Sequence, residues 1–188
     1  MKFLLFGVVF ALLMGGCAYK NEAIALVSYK AEYGGPISQE NKKVYVKLVK
    51  DMRKDKRSIG YYLQDGAKAA RLYSTVNFEE KYNEGLGYAL NIAGFDTETN
   101  LNTAALVVEV YIKDIAITYN DKTFDQNLVG SIEIEVVIRK GREVIKQNFR
   151  QKGGTWIKPS YTSKDTEPFL YSLFSDSIND IVSRLTRL

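Results

Sequence analysis

Cys17 is the only thiol in the chain, and it stands directly after a short apolar leader. Met1-Lys2 puts one positive charge ahead of an eleven-residue apolar run, Phe3 to Leu13, and Met14-Gly15-Gly16 is small and flexible enough to enter a peptidase. A helix needs about 20 apolar residues to cross a bilayer core, so the run fits the apolar region of a secretory signal. The chemistry this layout serves is alkylation of the Cys17 sulfur by a diacylglyceryl group, followed by cleavage on its amino side. Each buried methylene contributes about 0.8 kcal/mol and one acyl chain holds only marginally, so two or three chains on Cys17 make a stable anchor. The expectation is a signal peptide over residues 1–16 and a body held to a membrane by its acyl (palmitate-type) groups.

Other reactive residue types are scarce. The chain has no histidine, which removes the commonest general base and metal ligand. With its one thiol acylated, it can form no internal disulfide and offers no cysteine nucleophile. Glu133 and Glu135 share one strand face and Asp121 and Asp125 share a loop, but alternating acids on a strand are usually its wet side. The expectation is therefore no enzyme, no catalytic residue, no metal and no cofactor beyond the diacylglyceryl and N-acyl groups on Cys17. Residues 47–57 carry six cations against Asp51 and Asp55. Lys50, Arg53, Lys54, Lys56 and Arg57 form a candidate interaction surface, as does Trp156 after Gly153-Gly154. The chain has thirteen tyrosines, of which Tyr61, Tyr62, Tyr161 and Tyr171 are further candidates for a contact surface.

The elements that would position these residues follow from periodicity. Removing residues 1–16 from the 188 leaves 172, with 25 basic and 22 acidic residues; that length suits one domain burying about 70% of its surface. Residues 17–42 read as an acylated N-terminus and tether, with 23–33 able to form a strand, and 43–188 as a single globular domain. KKVYVKLVK (42–50) alternates, with Val44, Val46 and Leu48 on one face. Asp65-Gly66 marks a turn and 70–75 a short strand. Asn77 with Glu80 three residues on starts a helix over about 77–94. Residues 104–119 form the strongest strand, with a bulge at Asp114. Residues 131–139 and 143–151 form a hairpin through Lys140-Gly141-Arg142, and Gly153-Gly154 suggests a bulge. An apolar stripe from Phe169 to Leu185 defines a C-terminal helix over about 166–187. The fold class expected is α+β: a mostly antiparallel β-sheet with two amphipathic helices packed on one face.

The succession of Cys17, VYVKLVKDMRKDKRSIG (44–60), LNIAGF (90–95), LVVEVYIKDI (106–115) and a hairpin followed by an amphipathic helix resembles the YajG-like family of bacterial lipoproteins. That resemblance implies an outer-membrane lipoprotein with no functional site carried over except Cys17. Ala18 is similar to the residue of lipoproteins sorted to the outer membrane, where Asp would retain them at the inner one; the expected location is the periplasmic face. Similar domain shapes occur in lipoproteins of lipid-transport systems and of flagellar machines. The expected role is a non-enzymatic interaction or assembly module of a cell-envelope complex, with a protein partner or self-association and no nucleic acid. The alternative is a carrier for lipid, glycan or peptidoglycan fragments, which predicts an apolar cleft under the C-terminal helix or an aromatic groove near Trp156.

Overall fold

The longest apolar alternation in the chain lies at the middle of the sheet. The computed structural model describes residues 20–188 apart from 31, 99, 122, 123, 160 and 161; the expected signal peptide over 1–16, Cys17, Ala18 and Tyr161 lie outside the described residues. In chain order the elements are β1 (Glu22–Ala23), β2 (Lys43–Asp51), β3 (Ser58–Gln64), β4 (Ala67–Tyr73), α1 (Phe78–Ile92), β5 (Asp96–Thr97), β6 (Leu106–Asn120), β7 (Leu128–Lys140), β8 (Glu143–Thr155) and α2 (Ser163–Leu185). In β6 Leu106, Val108, Val110, Ile112, Ile115, Ile117 and Tyr119 are all 3% exposed or less. Two residues, Lys113 and Asp114, separate Ile112 from Ile115, and the register with β7 shifts there. This is the bulge expected at Asp114: the extra residue lets both charged side chains face water while the apolar series stays on the core.

The fold is α+β, with strands in the order β1-β4-β3-β6-β2-β5 and the β7–β8 hairpin added along the other edge of β6. The two longest ladders, β6–β7 and β7–β8, are antiparallel. The sheet is nevertheless mixed, which corrects the antiparallel expectation in part. β2 pairs parallel with β6 from Leu106 to Ile112, and β3 pairs parallel with the same edge from Ile117 to Asn120. Alternation reveals which face of a strand is wet but not the direction of its neighbour.

Both helices cover one face. Asn77 caps α1 by accepting the Glu80 N–H at 3.3 Å. Its glycine at 85 is a packing feature, because a Cβ there would lie 2.6 Å from the Ile178 side chain of α2. α2 starts three residues earlier than expected, where Asp165 Oδ2 accepts the Thr162 N–H at 2.7 Å and closes the first turn. Leu170, Phe174, Ile178, Ile181, Val182 and Leu185 are fully buried beneath it.

Four local expectations change. The described residues of 22–38 pack on the domain and are not a tether: Ile24, Leu26, Tyr29 and Tyr33 are buried, and the Tyr29 hydroxyl donates to Asn179 at 2.6 Å. Among the described residues of the segment 23–33 only Ala23 pairs as strand, together with Glu22 before it. Leu48 is 38% exposed, because a register shift between Val46 and Leu48 turns Val49 and Asp51 inward in its place. Gly153 and Gly154 stay in unbroken register with β7. Their role is clearance: a Cβ at Gly153 would touch Phe169 at 3.3 Å, so the glycine lets α2 approach the sheet.

Candidate interaction surface

The bulge at Lys47 decides the basic loop. By turning β2 half a pleat, it buries the carboxylate of Asp51 at the strand's end. Arg53, two residues later, folds back over it: Nη2 donates to Oδ2 at 2.7 Å and Nε to Oδ1 at 3.0 Å. The same guanidinium donates to the carbonyls of Ser58 at 2.9 Å and Lys56 at 2.8 Å, and stacks 4.8 Å above the Phe78 ring. Both side chains of the pair are only 4% exposed. Planar five-donor geometry makes arginine suited to this staple of a six-residue loop.

Carboxylates complete the frame. Glu79, in the first turn of α1, accepts the Asp51 N–H at 3.0 Å and Lys56 Nζ at 2.9 Å, and these contacts, Lys56 first, hold its pKa below the usual value. Asp55 accepts the N–H groups of Ser58 and Arg57 and pairs with Arg71; the same contacts, Ser58 first, depress its pKa. The structure thus brings Lys50, Arg53, Lys54, Lys56 and Arg57 to one place but divides them. Arg53 is internal, which removes it from the predicted surface, and Lys56 is tied to Glu79. Lys50, Lys54 and Arg57 are exposed and make no ion pair among the described residues.

Between the end of β2 and the start of β3, residues 113–116 of β6 have no ladder partner on that edge. A cleft of about 340 Å³ opens there, lined by Lys54, Ser58, Tyr61, Lys113 and Asp114 among others. Gly60 closes its floor at φ +153°, and any Cβ there would run into the Ile117 carbonyl. This notch had no sequence signal apart from the Ile-Gly pair and the charged bulge.

The other candidates are scattered. Trp156 is 52% exposed and so is not a core residue. Phe124, which no sequence pattern singled out, is 93% exposed. Tyr62 is fully buried and stacks on Tyr119 at 5.1 Å, with its hydroxyl donating to Asp121 at 2.9 Å. Tyr61 lies under Lys68 Nζ at 3.8 Å, and the Tyr171 hydroxyl accepts the Lys30 N–H at 2.9 Å. No tyrosine surface forms from these three. Glu135 pairs with Lys113 at 3.5 Å on the open face of the sheet. There Glu109 accepts Lys47 Nζ and the Tyr111 hydroxyl, each at 2.7 Å, and both contacts, Lys47 first, lower its pKa. Among the described residues no group of three or more acidic side chains gathers as a metal site would require. The space between α2 and the sheet is filled by buried side chains, leaving a dent of about 260 Å³ near Thr155, Ile157 and Pro168.

β8 is the remaining feature. It pairs only with β7 among the described residues, leaving thirteen residues of strand edge. Lys146, Asn148, Arg150 and Lys152 project from its open face.

No family model matches this sequence, and no curated protein matches it. Solved structures do share its shape. An uncharacterised protein superposes with a TM-score of 0.54 at 9% identity, over 89% of this chain and 97% of that one. Protein XCC0632 from Xanthomonas campestris, described by the family model DUF330, gives a TM-score of 0.50 at 10% identity, over 90% of this chain and 93% of that one. At such identities the likeness is one of fold, and the chain shares the α+β fold of this DUF330 protein over nearly its whole length.

Proposed function

We propose that this protein is a lipid-anchored, non-enzymatic docking module of the bacterial cell envelope, held through Cys17 at the periplasmic face of the outer membrane. The observation that carries this reading is the edge of β8, thirteen residues long and without a strand partner on its outer side among the described residues. Such an edge is a template for an added strand. Self-pairing centred on Phe149 would set Lys146 of one copy against Lys152 of the other, so like charges oppose a β8–β8 dimer. The favoured partner is an extended segment with acids spaced to meet Lys146, Arg150 and Lys152. A tether raises the effective concentration of both at the membrane, so modest contacts suffice.

The leader before Cys17, Ala18 and the YajG-like succession of motifs support the anchor and the location; a transport or flagellar assembly is the setting these suggest. The carrier alternative loses its main site to the packed helix–sheet interface. Its glycan version keeps one supporting observation, the exposed Trp156 beside a shallow dent.

Photo-cross-linking residues placed at Asn148, Arg150 and Lys152 in intact cells test the reading. A discrete protein adduct is expected from these positions and not from Gln64 in the β3–β4 hairpin. Absence of an adduct at all three β8 positions would overturn it. Cys17→Ser should remove the acyl groups and so weaken the hold on the membrane fraction, with release complete in high salt.

A further inference from the structure

The first described residues of the chain lie against the basic loop. β1 pairs parallel with the end of β4, Glu22 opposite Leu72, and Asn21 Oδ1 accepts the Arg71 N–H at 2.9 Å. Arg71 in turn holds Asp55, at the centre of the loop. Cys17 precedes Asn21 by four residues, at most about 14 Å of extended backbone. An anchor on Cys17 therefore keeps this loop close to the bilayer surface.

The loop is charged and shaped for such a surface. Its acids are already engaged, Asp51 by Arg53, Asp55 by Arg71 and Glu79 by Lys56. Lys20, Lys50, Lys54 and Arg57 remain exposed and without an ion pair among the described residues, against Glu22 and the exposed Asp114 nearby. Met52 sits between two buried neighbours yet is itself 48% exposed, an apolar side chain held out among cations. The Arg53 staple fixes the loop beforehand, so little conformational entropy is lost when it docks.

We propose that the loop at residues 50–57 is a second membrane contact, in which Lys50, Lys54 and Arg57, with Lys20, meet anionic lipid headgroups and Met52 enters the headgroup layer. The site rests on the anchor reading for its placement. It orients the anchored domain, with the opposite edge of the sheet, β8, directed away from the membrane.

The test uses the mature chain, residues 17–188, with Cys17→Ser, so that no acyl chain contributes, and vesicles of phosphatidylcholine with or without phosphatidylglycerol. Binding is expected only with the anionic lipid, weakening as salt rises. Replacing Lys50, Lys54 and Arg57 by Gln should weaken partitioning by about fivefold per cation removed. The same change at Lys146, Arg150 and Lys152 should alter it less than about twofold, because that edge faces away. In a Trp156→Phe background, Met52→Trp should shift its emission to the blue on anionic vesicles. Equal binding to both vesicle types, or equal loss from the two triple variants, overturns the site. Acylation of wild-type Cys17, read by mass spectrometry, is a separate measurement: an acylated protein whose Cys17→Ser form ignores anionic lipid keeps the anchor and loses this site.

Discussion

On one side of β6 the β7–β8 hairpin pairs residue for residue, from Lys140 opposite Glu143 to Leu128 opposite Thr155, without a register shift. On the other side two strands share one edge. β2 shifts register between Val46 and Leu48, and β3 shifts twice against β4. Within this hairpin no buried ion pair occurs among the described residues, and its glycine at 141 sits in an open turn at φ +60°. The irregular side contains the buried Asp51–Arg53 pair, a glycine locked against a carbonyl, and the notch. Regular pairing spreads stability over many equivalent contacts, whereas the irregular edge concentrates it in a few residues that nothing else can replace.

That contrast can be broken most directly at Arg53. Arg53→Ala should cost about 3–5 kcal/mol, because the Asp51 carboxylate stays buried without its partner; urea unfolding measures it, and a loss comparable to that of an exposed lysine would remove the staple from the account. Lys at 53 should recover little, since an ammonium cannot reach the carboxylate and two carbonyls in one plane. Next in size, Gly60→Ala should cost more than about 2 kcal/mol through the clash at Ile117, whereas Gly141→Ala should cost about 1–2 kcal/mol for the left-handed backbone alone. Equal losses would mean that β3 can move off β6, and the comparison would fail.

The open face lies between these extremes. Glu109→Gln should lose about 1–3 kcal/mol at pH 7 by weakening two hydrogen bonds to a charge. Its carboxyl is held below the ordinary value by Lys47 and Tyr111, so the stability it adds is present above the unfolded-state pKa and disappears as pH falls through the folded one. The variant and the parent should therefore converge in acid. The smallest effect has the opposite sign. Partial burial, Asp180 and Glu32 raise the pKa of Asp176, so its ionisation opposes folding as pH rises past the unfolded-state pKa. Asp176→Asn should raise Tm slightly at pH 7 and leave it unchanged well below the ordinary carboxylate pKa; a lower Tm at pH 7 would show that its contacts outweigh the repulsion.

The same contrast explains what could be read in advance. β6, β7 and β8 announce themselves because alternate residues face core and water for a dozen positions, and the turn at Lys140-Gly141-Arg142 has its own local chemistry. Even the bulge at Asp114 is legible, since two adjacent charges interrupt an apolar series. In the basic loop the same inspection counts charges but cannot divide them. Arg53 and Lys54 are neighbours of similar type, and only the inward turn of Asp51, set by a bulge against β6, makes one a buried staple and leaves the other in water.

Sequence alone determined the short apolar run ahead of a single cysteine, the absence of histidine, the two amphipathic helices and the strands of the hairpin, because each is a matter of composition or short-range period. Tertiary structure decided the parallel docking of β2 and β3 on one edge of β6, the inclusion of residues 22–38 in the core, the exposure of Trp156 and Phe124, and the free edge of β8. Those depend on which segments distant in the chain come to lie side by side. Hydrogen bonding between strands and burial between layers are properties of pairs, and one-dimensional pattern records only the face that each member of the pair keeps dry.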